Sequence, residues 1–574
     1  MQVSCDLSNI IFDFFTFLFN YLLIFYIIIG SMERIVQIFV NQIGYPKNKT
    51  KFAYATGLNG GETLEIKKVA QGESGPALFT IKAASPLEDR VAGEPVCALD
   101  FSDFEQDGDF YIVVKTPEGS QVRSVPFRIG DNLYNDVFTA TVKYFYLSRC
   151  GQKITESDGG PWAHEACHNT PAVVYGTDKK IEVNGGWHDA GDYGRYIVAA
   201  SKAVMDLLLA YEQCGGAGTD LLGEVRFELE WMLKMQREDG GVYHKVSCYH
   251  FCGVINPDEE KDELVVSPVS STATADFAGC CAFASIFFEE GDPAFAKKLM
   301  DVALKAWKYL ESHDEEPFKN PPEITTGGYG DWSSADERYF ACASLFMKTG
   351  DSRYLNKALE LRKSIETLPA DPDFPWKNKW IEGFGWGMVA GYGTEIFLRA
   401  KDKITDKNTV KLFEDSIIGG ADRLLERIKN ASFGTGLDRV HWGSNGHVCD
   451  QAHLLLAAWD ITHDKAYYEA AKKQLDYVLG CNPMNVCYVT GFGVNTVKCP
   501  HHRPSGAAKK TMPGMLSGGP CEGLYDACAK EKLGPLNLPP LRCFIDDFAS
   551  YSTNEIAIYW NSSFVYIASK LKMV

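Results

Sequence analysis

The chain has 574 residues, of which 45% are hydrophobic and 13% aromatic, so it is long enough for at least two domains with sizeable cores. Its 75 acidic residues outnumber its 57 basic residues and give a formal net charge of −18. This balance argues against nucleic acid and anionic membranes as partners, because both require basic surfaces, and it is compatible with a neutral polymer.

Residues 1–31 form a hydrophobic leader. The stretch 10–29 is aliphatic and aromatic and is long enough to span a bilayer, although Asp13 and Asn20 interrupt it. It lacks the basic residues and the small-residue cleavage motif of a secretory signal. Three interpretations remain open: an uncleaved membrane anchor, an atypical signal, or an extension upstream of a true start at Met32. We favour the third, which predicts a cytoplasmic protein.

Residues 35–130 alternate short β-rich runs with turn residues. The runs at 35–40 and 110–114 are rich in valine, isoleucine and aromatic residues, and a turn is expected around Asp107 and Gly108. This spacing predicts an antiparallel β-sandwich of about a hundred residues. The simplest role for such a unit is to stabilise its neighbour.

Residues 135–572 show helical periodicity. Ile197, Val204, Leu208 and Tyr211 fall on one helix face, and residues 222–235 form another amphipathic segment. About 440 residues allow around twelve helices. The fold class is therefore mainly α, and the period fits a toroid of helical hairpins or a solenoid equally well.

Two carboxylates lie three residues apart in the segment 185–194, GGWHDAGDYG. Carboxylates brought together near aromatic rings are the groups that hydrolysis of a glycosidic bond uses. The ordinary alternative is that Asp192 caps a helix beginning near Tyr193. A distant third acid, Glu555, also has an ordinary reading, since Ser552-x-x-Glu555 is a capping box.

Four ordered blocks make the chain resemble glycoside hydrolase family 9, the inverting cellulase family. Residues 544–562 fit the signature FxDxxxxYxxxExAxxxNS, and the segment 185–194 resembles the family's other acidic motif. Residues 488–503 resemble its histidine-arginine motif, with Cys487 where a small hydroxyl or a valine is usual. Residues 41–45, NQIGY, look like the start of the immunoglobulin-like domain of one branch.

The resemblance implies a fold and residue roles. The fold is an (α/α)6 toroid over residues 135–572, preceded by a small all-β immunoglobulin-like sandwich over residues 35–130. Asp192 resembles the general base that activates water, Asp189 its partner, and Glu555 the general acid. Three further positions match residues that contact sugar hydroxyls or support the acid: His501, Arg503 and Asp546.

Aromatic side chains are candidates for stacking on sugar rings. For any single tryptophan the commoner role is in a buried core. The candidates are Trp187, Trp332, Trp386, Trp442 and Tyr551.

Two metal sites are predicted. Two thiolates and two imidazoles form a closed, structural zinc set, and the branch with the immunoglobulin-like domain carries zinc at such positions. The predicted zinc ligands are Cys150, Cys167, His168 and His188, with His164 as the alternative fourth ligand; reduced core cysteines beside surface histidines are the ordinary alternative. Residues 330–337 resemble a family calcium loop, which gives Asp331, Asp336 and Glu337 as calcium ligands, although an acidic helix start reads the same way.

The resemblance implies an endo-β-1,4-glucanase acting on cellulose, cello-oligosaccharides or related β-glucans. An exo-acting β-glucosidase or exo-β-glucosaminidase and an inactive carbohydrate-binding protein are the alternatives. A metalloprotease is disfavoured because no His-Glu-x-x-His motif occurs in the sequence. The sequence shows no separate carbohydrate-binding or docking module, and we expect a monomer. Its 17 cysteines are scattered and odd in number, which favours reduced thiols.

Overall fold

The computed structural model describes residues 35–72, 75–116, 119–367 and 380–574. The predictions about the leader at residues 1–31 lie outside these ranges. Within them, strands occupy the chain from Gln37 to Gly130, and long helices begin at Asn135.

The N-terminal unit is a two-layered β-sandwich. Its strands are β1 (Gln37–Phe39), β2 (Tyr45–Pro46), β3 (Phe52–Thr56), β4 (Thr63–Lys68), β5 (Phe79–Lys82), β6 (Val96–Asp100), β7 (Gly108–Lys115), β8 (Gln121–Arg123) and β9 (Phe127–Gly130). One sheet has the order β1-β3-β6, and the other has the order β2-β9-β7-β4-β5 with β8 paired to β7. Neighbouring strands are antiparallel except β2 and β9. The predicted sandwich is confirmed.

The sandwich buries alternate side chains between its two sheets. Leu64 and Ile66 on β4 lie opposite Val114 and Ile112 on β7, and all four side chains are buried. Successive side chains of a strand point to opposite faces, so one face of each strand supplies this core.

Helices of ten or more residues dominate the remainder of the described chain. They are α1 (Asn135–Leu147), α2 (Ile197–Cys214), α3 (Leu221–Met232), α4 (Ser271–Phe288), α5 (Pro293–Ser312), α6 (Ala335–Thr349), α7 (Ser352–Glu366), α8 (Ala390–Arg399), α9 (Lys407–Lys429), α10 (Ser444–Thr462), α11 (Lys465–Val478) and α12 (Ile558–Lys570). The even-numbered helices form an inner ring and the odd-numbered helices pack outside it.

Side-chain pattern explains which ring a helix joins. Inner helix α4 is mostly apolar and is buried on nearly all sides, whereas outer helix α5 has one apolar stripe and exposes polar residues elsewhere. By length and composition α4 is the one described helix that could cross a membrane, but 89% of it is buried in the barrel. Outer helices α3, α5, α7, α9 and α11 also share a sequence signal, because an aspartate caps each of their first turns. The caps are Asp220, Asp292, Asp351, Asp406 and Asp464.

The inner ring closes on itself. The last helix, α12, packs along α2 and α10, so the first and last hairpins meet. Closure distinguishes a toroid from a solenoid, and the predicted (α/α)6 barrel is confirmed. Because inner and outer helices alternate, the loops that precede inner helices all emerge at one end of the barrel.

The sandwich packs directly against the barrel. Asn41 Nδ2 donates to Asp476 Oδ1 and to the Tyr134 hydroxyl, each at 2.7 Å. The rings of Phe39 and Phe433 meet edge to face at 5.3 Å between centroids. The two units therefore share a buried contact rather than a flexible linker.

Candidate active site

Two glycines of the acidic segment lie where no larger residue would fit. Gly186 has φ +77°, and a Cβ there would lie 2.6 Å from the Trp231 ring. A Cβ on Gly191 would lie 2.5 Å from the carbonyl oxygen of His501. The Arg503 guanidinium donates to the Gly191 carbonyl oxygen at 2.6 Å. These contacts hold the acidic segment against the histidine-arginine motif.

Trp187 is not a sugar platform, and that prediction is wrong. Its side chain is fully buried against Phe145, with ring centroids 4.9 Å apart. Its main-chain N–H donates to the Glu228 carboxylate at 2.6 Å. The residue anchors the segment in the core instead.

Asp189 is a buried carboxylate in which one of the two oxygens is hydrogen-bonded. Its Oδ2 accepts a hydrogen bond from the Tyr329 hydroxyl at 2.5 Å, and its buried Oδ1 has no partner among the described residues. Burial raises the pKa of Asp189 well above its usual value, the Tyr329 bond opposes this, and the charge of Asp192 adds to it. The Ile558 N–H donates to the Asp189 carbonyl at 2.8 Å, which fixes the segment to the start of α12.

Asp192 does not cap a helix. It lies upstream of α2, which begins at Ile197, and its Oδ2 accepts bonds from the Gly194 N–H at 3.2 Å and the Tyr196 hydroxyl at 3.3 Å. Lys245 lies behind Tyr196, with Nζ 5.4 Å from the ring centroid. Burial lowers the pKa of Lys245 to about 7, although the negative charge of Asp192 opposes this.

Glu555 is not part of a capping box. It ends the short turn Tyr551–Asn554 in an extended conformation, and the Ser552 hydroxyl donates to Asp526 instead of capping a helix. Burial raises the pKa of Glu555 well above its usual value, and the charges of Asp192 and Asp189 raise it further. The three predicted carboxylates therefore lie close enough to interact electrostatically.

His501 and Asp546 organise the strand-like segment beside Glu555. The His501 N–H donates to the Asn554 carbonyl at 2.8 Å, and its ring Nδ1 lies 2.6 Å from the Phe548 carbonyl oxygen. Asp546 accepts bonds from the main-chain N–H groups of Lys498 and Cys499, at 2.7 and 2.8 Å. Asp546 thus fixes the backbone that carries His501.

The Arg503 side chain donates its hydrogen bonds to backbone carbonyl oxygens. Besides its bond to Gly191, its Nε donates to the Cys252 carbonyl oxygen at 3.1 Å. Only 9% of the residue is exposed. The described contacts make Arg503 a clamp on the acidic segment, and direct sugar binding by it stays a prediction.

The remaining aromatic candidates border the open side of the site. Trp442 and Tyr551 are 42% and 36% exposed, and their ring centroids lie 5.1 Å apart. Trp442 also lies near the Glu555 carboxyl, where it opposes the rise of the pKa of that group. Trp386 packs edge to face on Tyr329 at 4.9 Å, and Trp332 is half exposed. The structure leaves these rings accessible for stacking on a sugar face.

The predicted zinc ligands form one buried group able to hold a metal ion. Ligand atoms of Cys150, Cys167, His168 and His188 lie within 4.8 Å of one another. Both thiols are outside disulfides, as are the other described cysteines, and the buried Nδ1 of His168 has no partner in the described chain. His168 Nε2 contacts Glu260 at 2.9 Å, which orients the ring. His164 instead places its Nδ1 2.7 Å from the Glu165 carbonyl oxygen and is not in the group.

The predicted calcium ligands lie in a buried acidic cluster with Asp276, which the sequence did not single out. Burial, then the charge of Asp336, raises the pKa of Asp331 to about 7. Asp276 has both carboxylate oxygens buried without a hydrogen-bond partner in the described chain. Glu337 is likewise buried, and the half-buried Asp336 accepts the Val389 N–H at 2.9 Å. These acids do not bring three ligand atoms within 4.8 Å of one another, unlike the cysteine-histidine group.

Sequence reasoning missed Tyr329 and Lys245. Tyr329 has φ +50°, an uncommon conformation for a residue other than glycine, and it sits in the glycine-rich segment 327–330. Lys245 Nζ donates to Thr326 Oγ1 at 2.9 Å and to the Gly327 carbonyl, so it fixes the same segment. The sequence pattern that could have pointed to Tyr329 is an aromatic residue within a run of glycines.

The chain matches two family profiles. Glycosyl hydrolase family 9 matches residues 134–568, and the cellulase N-terminal ig-like domain matches residues 35–118. A cellodextrinase of Butyrivibrio fibrisolvens is 35% identical over 560 residues, covering 93% of this chain and 99% of that protein.

Solved structures of endoglucanases have the same fold as this chain. A single mutant of a thermostable endoglucanase from Alicyclobacillus acidocaldarius superposes with a TM-score of 0.84 and 33% identity, covering 93% of this chain and 99% of that one. A Zn-binding triple mutant of a family 9 endoglucanase superposes with a TM-score of 0.83 and 26% identity, covering 92% and 99%.

Proposed function

Because this chain belongs to glycosyl hydrolase family 9, we propose that it is an inverting glycoside hydrolase that cleaves β-1,4-glucosidic bonds in cello-oligosaccharides and related β-glucans. One observation carries the proposal. A half-buried glutamate with a raised pKa, Glu555, lies within electrostatic reach of the paired carboxylates Asp189 and Asp192, beside exposed aromatic rings. An acid opposite a base is the arrangement that inversion needs.

Glu555 is the proposed general acid. Its raised pKa keeps a proton on the carboxyl near neutral pH, which the leaving glycosidic oxygen takes as the bond to the anomeric carbon breaks. Trp442 lies near the same carboxyl, on the open side of the site.

Asp192 is the proposed general base. It accepts a proton from a water molecule whose oxygen attacks the anomeric carbon from the opposite face, so the product has inverted configuration. Asp189 holds the same water through the oxygen that has no protein partner, while Tyr329 fixes the other oxygen.

The anomer and length of the products test this proposal. Proton NMR during cellohexaose hydrolysis is expected to show the α-anomer first. Chromatography is expected to show internal cleavage into several oligosaccharides. Glucose released alone from one chain end would replace the endo assignment with an exo-β-glucosidase. Turnover of chitosan oligosaccharides in preference to cello-oligosaccharides would indicate an exo-β-glucosaminidase. Absence of turnover on every β-glucan would refute the proposed enzymatic activity and favour a carbohydrate-binding protein.

We propose that Cys150, Cys167, His168 and His188 hold a structural zinc ion. Two thiolates and two imidazoles are a closed donor set of the kind that holds structural zinc, so zinc bound by these residues would supply rigidity and not a reactive water. Burial opposes ionisation of Cys150, but the bond from Cys167 and the charges of Arg195 and His188 outweigh it and place the pKa of Cys150 well below its usual value. A thiolate in this position favours metal binding.

We also propose that the acidic cluster around Asp331, Asp336 and Glu337 binds calcium. Buried carboxylates with raised pKa values gain free energy when a hard cation replaces their protons. Adding calcium to chelated protein at pH 7 is expected to raise the midpoint of thermal unfolding. A midpoint independent of calcium in both native protein and Asp336→Asn would contradict it.

A further inference from the structure

A pocket lies where the β-sandwich meets the barrel, outside the catalytic residues described above. Its volume is about 470 Å³, within the range of small-ligand sites. One wall comes from the sandwich through Arg90, which follows β5. The other walls come from the barrel: Asp438, Arg439, His441, Glu522, Gly523 and Tyr525.

Hydrogen bonds between the sandwich and the barrel hold the walls of the pocket. Arg90 Nη1 donates to Glu522 at 2.9 Å, and its Nη2 donates to the Asp438 carbonyl oxygen at 2.5 Å. Glu522 also accepts the Val440 N–H at 2.9 Å. Its polar walls are therefore held by contacts that cross the domain boundary.

The pocket adjoins the exposed aromatic pair. His441, in its wall, directly precedes Trp442, which lies near the Glu555 carboxyl and contacts Tyr551 with ring centroids 5.1 Å apart. On the other side, Tyr525 precedes Asp526, whose carboxylate holds the Ser552 N–H at 3.0 Å. Both walls thus continue into the segments that carry the general acid.

The lining chemistry suits an uncharged, polyhydroxylated ligand. Two arginines face two acids, so the pocket presents hydrogen-bonding groups without a net charge from them. The Tyr525 side chain is 53% exposed and offers a ring face to the C–H groups of a sugar. An anionic ligand would meet Asp438 and Glu522.

We propose that this pocket is a distal subsite that binds one or two further glucosyl units of the chain being cleaved. The β-sandwich, through Arg90, thereby contributes to substrate binding as well as to stability. The inference rests on the proposed β-1,4-glucanase function, because the occupant is an extension of that substrate.

Length-dependent kinetics of the full chain test the subsite. In Tyr525→Ala, kcat/KM for cellohexaose is expected to fall about tenfold, whereas kcat/KM for cellotriose stays within about twofold. Arg90→Ala is expected to lower kcat/KM for cellohexaose about threefold. The matched control is Arg128→Ala, since Arg128 is also an exposed, ion-paired arginine of the sandwich, with 53% side-chain exposure against 58% for Arg90. It is expected to change neither value.

The outcomes separate this inference from the proposed function. Equal losses on both substrates, or no loss on either in an active enzyme, would overturn the subsite alone. A wild-type protein that cleaves no β-1,4-glucan would refute the proposed function, and the subsite with it.

Discussion

Glu555 illustrates how a single residue acquires its chemistry from its surroundings. Burial and two nearby carboxylates both disfavour its charged form, so it keeps its proton at pH values at which an exposed glutamate is ionised. The same surroundings cost stability, because the folded state binds a proton that the unfolded state releases. Stability from this group therefore falls as pH rises from the unfolded pKa through the raised folded pKa.

Glu555→Gln removes the acid and keeps the shape. We expect kcat on cellohexaose to fall by roughly 10²–10⁴, the usual contribution of general acid catalysis. With 2,4-dinitrophenyl β-cellobioside the loss should be much smaller, because that leaving group needs no proton. Steady-state kinetics on both substrates decide the matter, and equal losses would contradict the acid assignment. The midpoint of thermal unfolding at pH 7 should not fall, which serves as the folding control.

Tyr329→Phe tests how Asp189 is held. Losing the hydroxyl removes a bond that lowers the pKa of Asp189, so this pKa rises further. The acid limb of the kcat/KM profile is then expected to move to higher pH, with a roughly 10- to 100-fold loss of kcat at its optimum.

Tyr488→Phe is the matched control for this change. Tyr488 is also buried, but its hydroxyl has no hydrogen-bond partner in the described chain. The pH profile of kcat/KM for Tyr488→Phe should follow that of the wild type. If the acid limb does not move in Tyr329→Phe, Asp189 does not limit activity at low pH.

At the scale of elements, the proposed zinc group joins loops rather than helices. The Cys150 N–H donates to the Gly186 carbonyl and the His188 N–H to the Ser148 carbonyl, each at 2.8 Å. The ligands thus connect the end of α1 to the segment that carries Asp189 and Asp192. A metal ion bound there would stiffen the segment that carries these carboxylates without touching the substrate.

Metal removal should therefore make the segment that carries Asp189 and Asp192 less rigid. We expect about one zinc per chain by elemental analysis, and a thermal midpoint lower by roughly 5–10 °C after chelation, with activity lost in parallel. Cys167→Ala should lack the metal and lose its response to the chelator. Cys281→Ala, a buried cysteine outside the group, should keep both. Zinc-free wild-type protein with an unchanged midpoint would argue against the site.

The whole molecule depends on the contact between sandwich and barrel. Asn41 is fully buried and uses its side chain in four hydrogen bonds, two within the turn that follows it and two to the barrel. Its partner Asp476 is itself buried and paired with Lys472. Leaving such groups unpaired is costly.

Asn41→Ala should destabilise the assembly by about 2–4 kcal/mol. Calorimetry is expected to show a lower midpoint or a separate, earlier transition of the sandwich. Asn430→Ala removes hydrogen bonds from an exposed asparagine at the end of α9 and should change little. An unchanged transition in Asn41→Ala would mean that the two units do not stabilise each other through this contact.

Residue type and spacing were enough to predict a β-sandwich followed by a helical domain, and to single out the chemically distinctive residues. Strand alternation and helical periodicity are local signals, and the acidic, histidine and cysteine motifs predicted Asp189, Asp192, Glu555 and the cysteine-histidine group that the fold brings together. Local patterns could not choose between toroid and solenoid, because closure depends on contacts between helices at opposite ends of the chain.

The contacts of each candidate residue became known from the packed chain. It buried Trp187 in the core, turned Ser552 to Asp526, brought Tyr329 to Asp189, and placed Arg90 of the sandwich in a pocket of the barrel. Each of these outcomes joins residues separated by tens or hundreds of positions. The physical reason is that exposure, hydrogen-bond partners and electrostatic surroundings are properties of the packed chain, whereas residue type and spacing are properties of the sequence.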